Sequence, residues 1–340
     1  WSQALNSVLP ELREERASEH EVLLTIKSRI LIQIKQRHEL VGILSFGPRR
    51  GGFQYSDADR ELLMSIAAQL ALIIDNARLT ERMVAQERMR RELALAAEVQ
   101  QRLLPSCAPK GVAMEIAGFC EPARGVGGDY YDFIDFDSRL LGLAIADVAG
   151  KGMPAALLMS TVQATLRSLT ARNGANGSTG GSAGYELSSI VSKLNRLLFN
   201  STNGEHYVTF FYATFDQSTQ RLTYVNAGHN PPLYLPGSGS EFRHLTSGGL
   251  VAGAFEDADY EQETVQMERD DLLFLYTDGL TEALNVEGEE FGASRIMETL
   301  KSIASLSADQ IRDVVARRVK DWCAGMSLYD DLTFVVMKVK

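Results

Sequence analysis

The spacing of apolar residues divides the chain into a helical first part and a strand-rich second part. Near the start, two apolar runs, Val22–Ile34 and Leu40–Phe46, flank a polar turn and predict two antiparallel strands. From Asp57 onward, apolar residues recur at alternating steps of three and four, which predicts a long helix. Pro105 is expected to end that helix, because proline lacks the N–H that a helix interior needs.

The long helical run has two interpretations. Its apolar residues follow a heptad-like stripe as far as Val84, and the phase of the stripe has shifted by Leu93. The run is therefore either two core helices joined by the polar stretch 81–92, or one linker that pairs with its copy in a parallel homodimer. We favour the linker.

Beyond Pro105, short apolar runs alternate with glycine-containing turns and with segments of helical spacing. The apolar runs predict strands at 114–119, 140–148, 207–215, 222–226, 272–277 and 332–339. The amphipathic segments predict helices at 153–170, 186–199, 294–303 and 308–323. This mixture predicts an antiparallel-rich α+β domain built in layers. The Gly- and Ser-rich segment Arg172–Tyr185 lacks the apolar residues of a folded element and is predicted to be a mobile loop.

Composition narrows the class of protein. Acidic residues outnumber basic ones by 44 to 34, and a net charge of −10 argues against a nucleic-acid partner. Cys107, Cys120 and Cys323 match neither a zinc site nor a disulfide framework, which favours a reducing, cytoplasmic location. No apolar stretch reaches the ~18 residues of a membrane helix, so we expect no membrane segment within this chain. Because the chain begins at Trp1, we expect an upstream part, in which a membrane anchor would not be visible.

Acidic residues stand at the ends of the predicted strands, beside glycine or another aspartate. They are Asp129, Asp147, Asp278, Asp330 and Asp331. If these strand ends converge, the carboxylates would repel one another unless cations bind between them. Oxygen donors with no thiolate or imidazole nearby favour Mg²⁺ or Mn²⁺. Aspartate is also common in turns, so spacing alone leaves a metal centre and a set of turn residues as alternatives.

The stretches around these aspartates resemble the SpoIIE/RsbU branch of the PPM (PP2C-type) metal-dependent serine/threonine phosphatases. The resemblance covers residues 95–340 and is carried by Glu98–Pro105, Val126–Asp132, Ala146–Ala156, Asn226–Pro232, Tyr276–Ala283 and Asp330–Thr333. It implies that residues 106–340 form a PPM-type antiparallel β-sandwich flanked by helices. It also implies hydrolysis of phosphoserine or phosphothreonine by two-metal activation of water.

The same resemblance implies a ligand set for two divalent cations, Mn²⁺ or Mg²⁺. The implied ligands are five aspartates and one backbone carbonyl: Asp129, Asp147, Val148, Asp278, Asp330 and Asp331. Asp147 is expected to bridge the two ions. One ion is expected to take Asp278 and Asp330, and the other Asp129 and the carbonyl of Val148. The sequence does not decide which of the adjacent pair 330–331 is the direct ligand.

The catalytic aspartates implied by the resemblance are Asp129, Asp147, Asp278 and Asp330, and the implied substrate-binding residues are Arg124 and Gly128. Arginine suits a phosphate because it donates two parallel hydrogen bonds. Eukaryotic members carry a histidine where this chain has Ala149. Lys151 and His229 are considered as general acids, and His229 is expected instead to hydrogen-bond a turn near the site.

Residues 1–78 resemble the second half of a GAF domain, a sensor fold. With a helical linker at 79–105, the predicted order is sensor, linker, phosphatase, and the linker is expected to form a homodimer. The implied substrate is a phosphorylated STAS-domain protein, an anti-sigma-factor antagonist. The alternatives are a catalytically inactive PPM-fold partner-binding module in a signalling switch, and a small-molecule phosphatase on the same metal site. The presence of every metal aspartate favours the protein phosphatase.

Overall fold

Contacts within the computed structural model separate the chain into two units, Trp1–Arg91 and Glu92–Lys340. The residues that the structure describes are 21–22, 24–36, 39–105, 109, 113–136, 139–176, 186–202, 206–239 and 241–340. Each unit has hydrophobic clusters of its own, which are described in turn.

In the first unit, an antiparallel hairpin packs against the first part of a long helix. The elements are β1 (Ile30–Gln36), β2 (Glu39–Phe46) and α1 (Asp57–Gln101). Ile32 and Ile34 alternate along β1 and pack against Ala67 and Ala71, which lie one helical turn apart. Small residues on the helix therefore let the hairpin approach closely.

The predicted strand Val22–Ile34 is wrong over its first half. Residues 21–22 and 24–25 are helical, and Ile26 donates its backbone N–H to the carbonyl of Val22. Lys27 then takes a left-handed backbone conformation with φ of 52°, which ends the helical turn before β1 begins at Ile30. An apolar run alone does not distinguish a short helical turn from the start of a strand.

Helix α1 is continuous from Asp57 to Gln101, so the alternative of two separate helices is not what the structure has. Its start is fixed by Ser56 and Asp59. The Asp59 N–H donates to Ser56 Oγ, and the Ser56 N–H donates to Asp59 Oδ2. The structure contains one chain and does not test pairing of this helix with a copy.

Among the described residues, α1 is the one helix whose length and composition would suffice to cross a membrane. An 18-residue window of it reaches a mean hydropathy of 1.4. Ala67 and Ala71 in this helix are buried against the hairpin, so protein covers part of its apolar surface. Helices of soluble proteins pass the same test of length and composition, and the absence of a membrane segment stays a prediction.

The second unit contains two sheets flanked by helices. Its strands are β3 (Met114–Glu121), β4 (Tyr130–Asp135), β5 (Leu140–Val148), β6 (Val208–Asp216), β7 (Arg221–Ala227), β8 (Leu233–Leu235), β9 (Arg243–His244), β10 (Gly248–Gly249), β11 (Glu263–Gln266), β12 (Leu272–Tyr276) and β13 (Leu332–Val339). Its helices are α2 (Met153–Asn176), α3 (Leu187–Thr202), α4 (Asp278–Thr281), α5 (Gly292–Ile303) and α6 (Ala308–Cys323). One sheet has the order β10-β7-β6-β5-β4 with β11 beside β7, and the other has the order β3-β13-β12-β8-β9.

Alternation of side chains along the strands builds the layers. In β5, Leu143 and Ile145 face the core between the two sheets, whereas Ala144 and Ala146 face α2 and α3. In the other sheet, Phe274 faces the cluster formed with α5 and α6. The second unit is therefore a helix–sheet–sheet–helix sandwich, which confirms the mixed α and β fold with antiparallel sheets.

Several predicted elements of this unit are confirmed, and others differ. The strands 140–148 and 332–339 and the helix 308–323 have the predicted bounds. Strand β4 was not predicted, because Asp132 and Asp135 interrupt its apolar pattern. Helix α2 extends to Asn176, into the segment predicted as a loop. Residues 177–185 of that segment lie outside the described residues.

Candidate metal centre

The register of the strands brings the predicted aspartates to one edge of the sandwich. In the first sheet, Tyr130 pairs with Ala146. Asp129, directly before β4, and Asp147, near the end of β5, therefore lie at the same end of these two strands. In the second sheet, Tyr276 pairs with Phe334. Residues 277–278 and 330–331 therefore also share an edge, because antiparallel neighbours place the end of one strand beside the start of the next.

Asp129 joins the two sheets at this edge. Its carboxylate is buried and accepts a 2.8 Å hydrogen bond from the hydroxyl of Thr277, at the end of β12. Burial, and then the negative charge of Asp147, raise the pKa of Asp129 well above its ordinary value. Asp129 is therefore a buried carboxylate whose charge is opposed by its surroundings, which is the setting in which a nearby cation would be stabilising.

Asp147, Asp278 and Asp330 form the electrostatic centre of the cluster. Burial raises the pKa of Asp147 to about 7, and the charges of Asp278 and Asp330 add to the effect. The pKa of Asp278 is also raised, first by burial and then by Asp330. The negative charges of neighbouring carboxylates therefore oppose ionisation of Asp147 and Asp278.

Lys151 supplies a positive charge beside these carboxylates. Its ammonium group lies 2.7 Å from Asp330 Oδ2, donates to the carbonyl of Tyr329 at 3.2 Å, and stands 4.1 Å from the centre of the Tyr329 ring. Lys151 follows Gly150 and is followed by Gly152, and both glycines have positive φ angles, 107° and 73°. These glycines allow the loop after β5 to turn sharply and present Lys151 to the cluster.

The adjacent aspartates have different environments. Asp331 accepts hydrogen bonds from the backbone N–H groups of Ala123 and Gly128, at 2.8 and 2.7 Å. A Cβ atom at Gly127 would overlap the Asp331 carboxylate, and this explains why glycine is needed there. Asp331 therefore holds the loop before Asp129, whereas Asp330 accepts the backbone N–H of Asp331 at 3.0 Å and pairs with Lys151.

The residues predicted to bind substrate lie near this edge. Arg124 is exposed, and its charge lowers the pKa of Lys151 against the larger opposite effect of Asp330. The N–H of Gly128 is already engaged by Asp331, and its role in substrate binding stays a prediction. A Cβ atom at Gly128 would come within 2.9 Å of the carbonyl of Val148, so glycine lets these two segments approach each other.

His229 has a structural environment. It is buried, and its backbone N–H donates to Asn226 Oδ1 at 2.7 Å. Its ring Nδ1 lies 2.8 Å from the hydroxyl of Thr209. Burial lowers the pKa of His229 to about 4, so the ring is neutral at pH 7. The backbone of His229 belongs to a turn closed by Asn226, but its ring hydrogen-bonds Thr209 of strand β6 and not the turn that was expected. A neutral, buried imidazole does not suit the role of general acid.

Two supporting side chains escaped the sequence analysis. Thr277 fixes Asp129, and only its position directly before Asp278 could have drawn attention to it. Gln100 pairs with Gly127 through two hydrogen bonds. Gln100 stands in the stretch Glu98–Pro105 that carried the family resemblance, but nothing in that stretch indicated its role.

The donor set fits divalent cations that prefer oxygen. The groups at this edge are carboxylates and the carbonyl of Val148. The ring of His229 is hydrogen-bonded to Thr209 instead. Among the residues that the structure describes, no group of three or more His, Cys, Asp or Glu side chains is arranged so that it could hold a metal ion as it stands. Mg²⁺ usually keeps several water ligands and binds through one or two carboxylates, so binding of such an ion here stays a prediction.

The chain has sequence relatives among known proteins. Residues 137–340 match the family model described as Stage II sporulation protein E (SpoIIE). The chain is 31% identical to phosphoserine phosphatase RsbU of Bacillus subtilis over 257 residues, which cover 75% of this chain and 72% of RsbU. It is also 31% identical to phosphoserine phosphatase RsbP of the same organism, over 56% of this chain and 45% of RsbP.

A solved structure shares the fold of the second unit. The SiaA PP2C domain of Pseudomonas aeruginosa superimposes with a TM-score of 0.64 at 20% identity, covering 75% of this chain and 99% of that domain. At this level of identity the likeness shows the PP2C fold alone. The comparisons leave the sensor-like resemblance of residues 1–78 without support, and it stays a prediction.

Proposed function

The chain belongs to the SpoIIE family of PP2C-type protein serine/threonine phosphatases, and on that premise we propose that it hydrolyses phosphoserine or phosphothreonine with two divalent cations, Mn²⁺ or Mg²⁺. The observation that carries the proposal is the convergence of five aspartates at one edge, where burial and mutual repulsion raise the pKa of Asp147 to about 7. Such a cluster costs folding free energy unless cations bind it, and that cost is typical of a functional site.

The proposed ligands follow from the geometry. The charge of Asp147 raises the pKa of Asp129, and the charges of Asp278 and Asp330 raise the pKa of Asp147. Asp147 is therefore close to both groups of carboxylates, which supports a bridging role. Asp330 is proposed as the ligand of the adjacent pair, because its charge raises the pKa of both Asp147 and Asp278, whereas Asp331 acts less on Asp147 and accepts backbone N–H groups from the loop before Asp129. Val148 offers its carbonyl where Gly128 packs against it. When bound, two cations would polarise the phosphoryl oxygens and activate water.

The chain's own residues orient and bind the phosphate group. Arg124 is exposed at this edge and is close enough to affect the pKa of Lys151. The positively charged side chains of Arg124 and Lys151 therefore lie together beside the carboxylates. We expect Arg124 to hold a phosphate oxygen, since a guanidinium group donates two parallel hydrogen bonds. Asp330 holds Lys151 at 2.7 Å and so keeps this positive charge at the edge.

The proposed substrate is a phosphorylated STAS-domain protein. Two of the relatives are named phosphoserine phosphatases, and this supports a phosphoserine substrate for the present chain. Competition decides between a phosphoprotein and a small phosphate ester. A phosphoserine STAS protein is expected to inhibit turnover of p-nitrophenyl phosphate at micromolar concentration, whereas free phosphoserine is not. Equal inhibition by the two would point to a small-molecule phosphatase.

Residues 79–105, which include the last part of α1, are the proposed dimerising linker between a sensor fragment at 1–78 and the phosphatase domain at 106–340. Val84 and Val99 of the predicted stripes both lie within residues 79–105 and are exposed by 63 and 62%. Exposed apolar side chains at helical spacing are typical of a face that pairs with another helix. A parallel homodimer through residues 79–105 would cover such a face.

The catalytic proposal is tested by phosphate release from p-nitrophenyl phosphate at increasing Mn²⁺ concentration. Wild type is compared with Asp147→Asn and Asp278→Asn, and Asp313→Asn on the exposed surface of α6 serves as the matched control. We expect Mn²⁺-dependent turnover in wild type and control, with a loss of at least about a thousandfold in the two site variants. Turnover that is independent of Mn²⁺ would refute the metal centre. Absent turnover with partner binding retained would favour an inactive binding module.

A further inference from the structure

Gln100, at the end of helix α1, is hydrogen-bonded to the loop that carries Asp129. Gln100 Nε2 donates to the carbonyl of Gly127 at 2.6 Å, and the Gly127 N–H donates back to Gln100 Oε1 at 3.0 Å. A carboxamide has one donor edge and one acceptor edge, so it can satisfy both groups of a single peptide unit at once. This two-point contact joins residues 27 positions apart.

The residues directly after α1 are anchored within the second unit. Gln163 of α2 is buried and donates its side-chain N–H to the carbonyl of Leu103. Leu104 packs against the core between the sheets and against the core beneath α2 and α3. Gln100 therefore stands directly before a segment that is anchored by Gln163 and by the packing of Leu104. The two hydrogen bonds of Gln100 consequently fix the position of Gly127.

The position of Gly127 determines the position of two proposed metal ligands. Asp129 follows two residues later, and Gly128 lies between them with its N–H fixed on Asp331. Gly128 also approaches the carbonyl of Val148 so closely that no side chain fits. A shift of the Gly127 peptide would thus move Asp129 and disturb the contact with Val148, which belong to the same proposed cation site.

We propose that Gln100 is a positioning residue for this cation site: its side chain holds the Gly127–Asp129 loop in the conformation that binds the ion shared by Asp129 and the Val148 carbonyl. The inference rests on the proposed two-metal function. It assigns to the last turn of α1 a direct mechanical contact with one of the two cation sites, while the other site, at Asp278 and Asp330, has no such contact with α1 among the described residues.

The test compares Mn²⁺ binding by Gln100→Met and by Gln101→Met. Methionine keeps the length of the side chain and removes both hydrogen-bonding groups. Gln101 is the neighbouring exposed residue and has no hydrogen bond to the loop among the described contacts, so it is the matched control. Gln100→Glu keeps the acceptor for the Gly127 N–H but loses the donor to its carbonyl. Calorimetry gives the Mn²⁺ dissociation constants, and thermal unfolding in EDTA reports on the fold.

Loss of a residue that orients a metal ligand typically weakens metal binding roughly 10- to 100-fold. We expect a weakening of this size for Gln100→Met at one of two Mn²⁺ sites, an intermediate weakening for Gln100→Glu, and none for Gln101→Met. Turnover at saturating Mn²⁺ should return to within about twofold of wild type, because no reacting group is removed.

The outcomes separate this inference from the proposed function. If wild type binds Mn²⁺ and Gln100→Met binds it equally well at both sites, the positioning role is refuted, and a lower unfolding temperature in EDTA would then indicate a purely structural contact. If wild type itself binds no Mn²⁺ and does not release phosphate, the proposed metal centre fails and the inference falls with it.

Discussion

Replacing Asp147 with asparagine should stabilise the metal-free protein while abolishing its activity. In the folded chain the pKa of Asp147 is raised from 3.8 to about 7, first by burial and then by the charges of Asp278 and Asp330. The folded state therefore holds this proton more tightly than the unfolded state does. Stability that depends on the protonated carboxyl is full below about pH 4 and is lost as the pH rises to about 7.

The size of the effect follows from the pKa. A tenfold change in proton affinity corresponds to about 1.4 kcal/mol, so the ionised Asp147 carboxylate reduces the free energy of unfolding by at most about 4 kcal/mol above pH 7. Neighbouring carboxyls share protons with it, and we expect about 2 kcal/mol to be recovered in Asp147→Asn. For a domain of this size that gain raises the melting temperature by about 4–8 °C.

The assay is thermal unfolding in EDTA at pH 5 and pH 8, with Asp313→Asn as the control for a surface carboxylate. The gain from Asp147→Asn should be larger at pH 8 than at pH 5, and the control should show none. Excess Mn²⁺ should reverse the order of stability, because a ligand that binds only the folded state at about 100 times its dissociation constant adds about 2.7 kcal/mol. A variant that is less stable than wild type at pH 8 in EDTA would refute the reasoning.

Three further predictions concern the scaffold. Arg167→Met leaves the buried carboxylate of Asp132 without its ion pair and should lower the free energy of unfolding by about 3 kcal/mol in a urea titration; a change below ~1 kcal/mol would contradict this. Gly127→Ala places a methyl group against Asp331 and should abolish Mn²⁺ binding in calorimetry, whereas unchanged binding would show that the loop can move freely. Val84→Glu should convert a dimer to a monomer in analytical ultracentrifugation, and an unchanged dimer would exclude this face of α1.

The sequence predicts most of the sandwich because its strands and helices repeat simple patterns. The runs 140–148 and 332–339 are strands with the predicted bounds, and α6 has the predicted length. Strand β4 was not predicted, because Asp132 interrupts its apolar pattern as a residue of a polar turn would. Its charge is compensated by Arg167, which arrives from α2 35 residues later. A compensation between residues so far apart in the chain leaves no local signal.

The candidate site was predicted at the level of residue type and not at the level of geometry. Strand-end aspartates beside glycines indicated that carboxylates would gather, and the register of β12 and β13 places them together. The difference between Asp330 and Asp331 depends on backbone N–H groups of Ala123 and Gly128, more than 200 positions away. The role of Gln100 likewise appears only once Gly127 lies against the end of α1.

The central claim is that this carboxylate cluster is the metal centre of a protein phosphatase. Its most direct test is phosphate release from a phosphoserine STAS-domain protein, followed with Mn²⁺ and with EDTA, by wild type and by Asp147→Asn. We expect wild type to release phosphate only when Mn²⁺ is present, and the variant to release none under either condition. Equal release by the variant, or release by wild type in EDTA, would show that the cluster is not a catalytic metal centre.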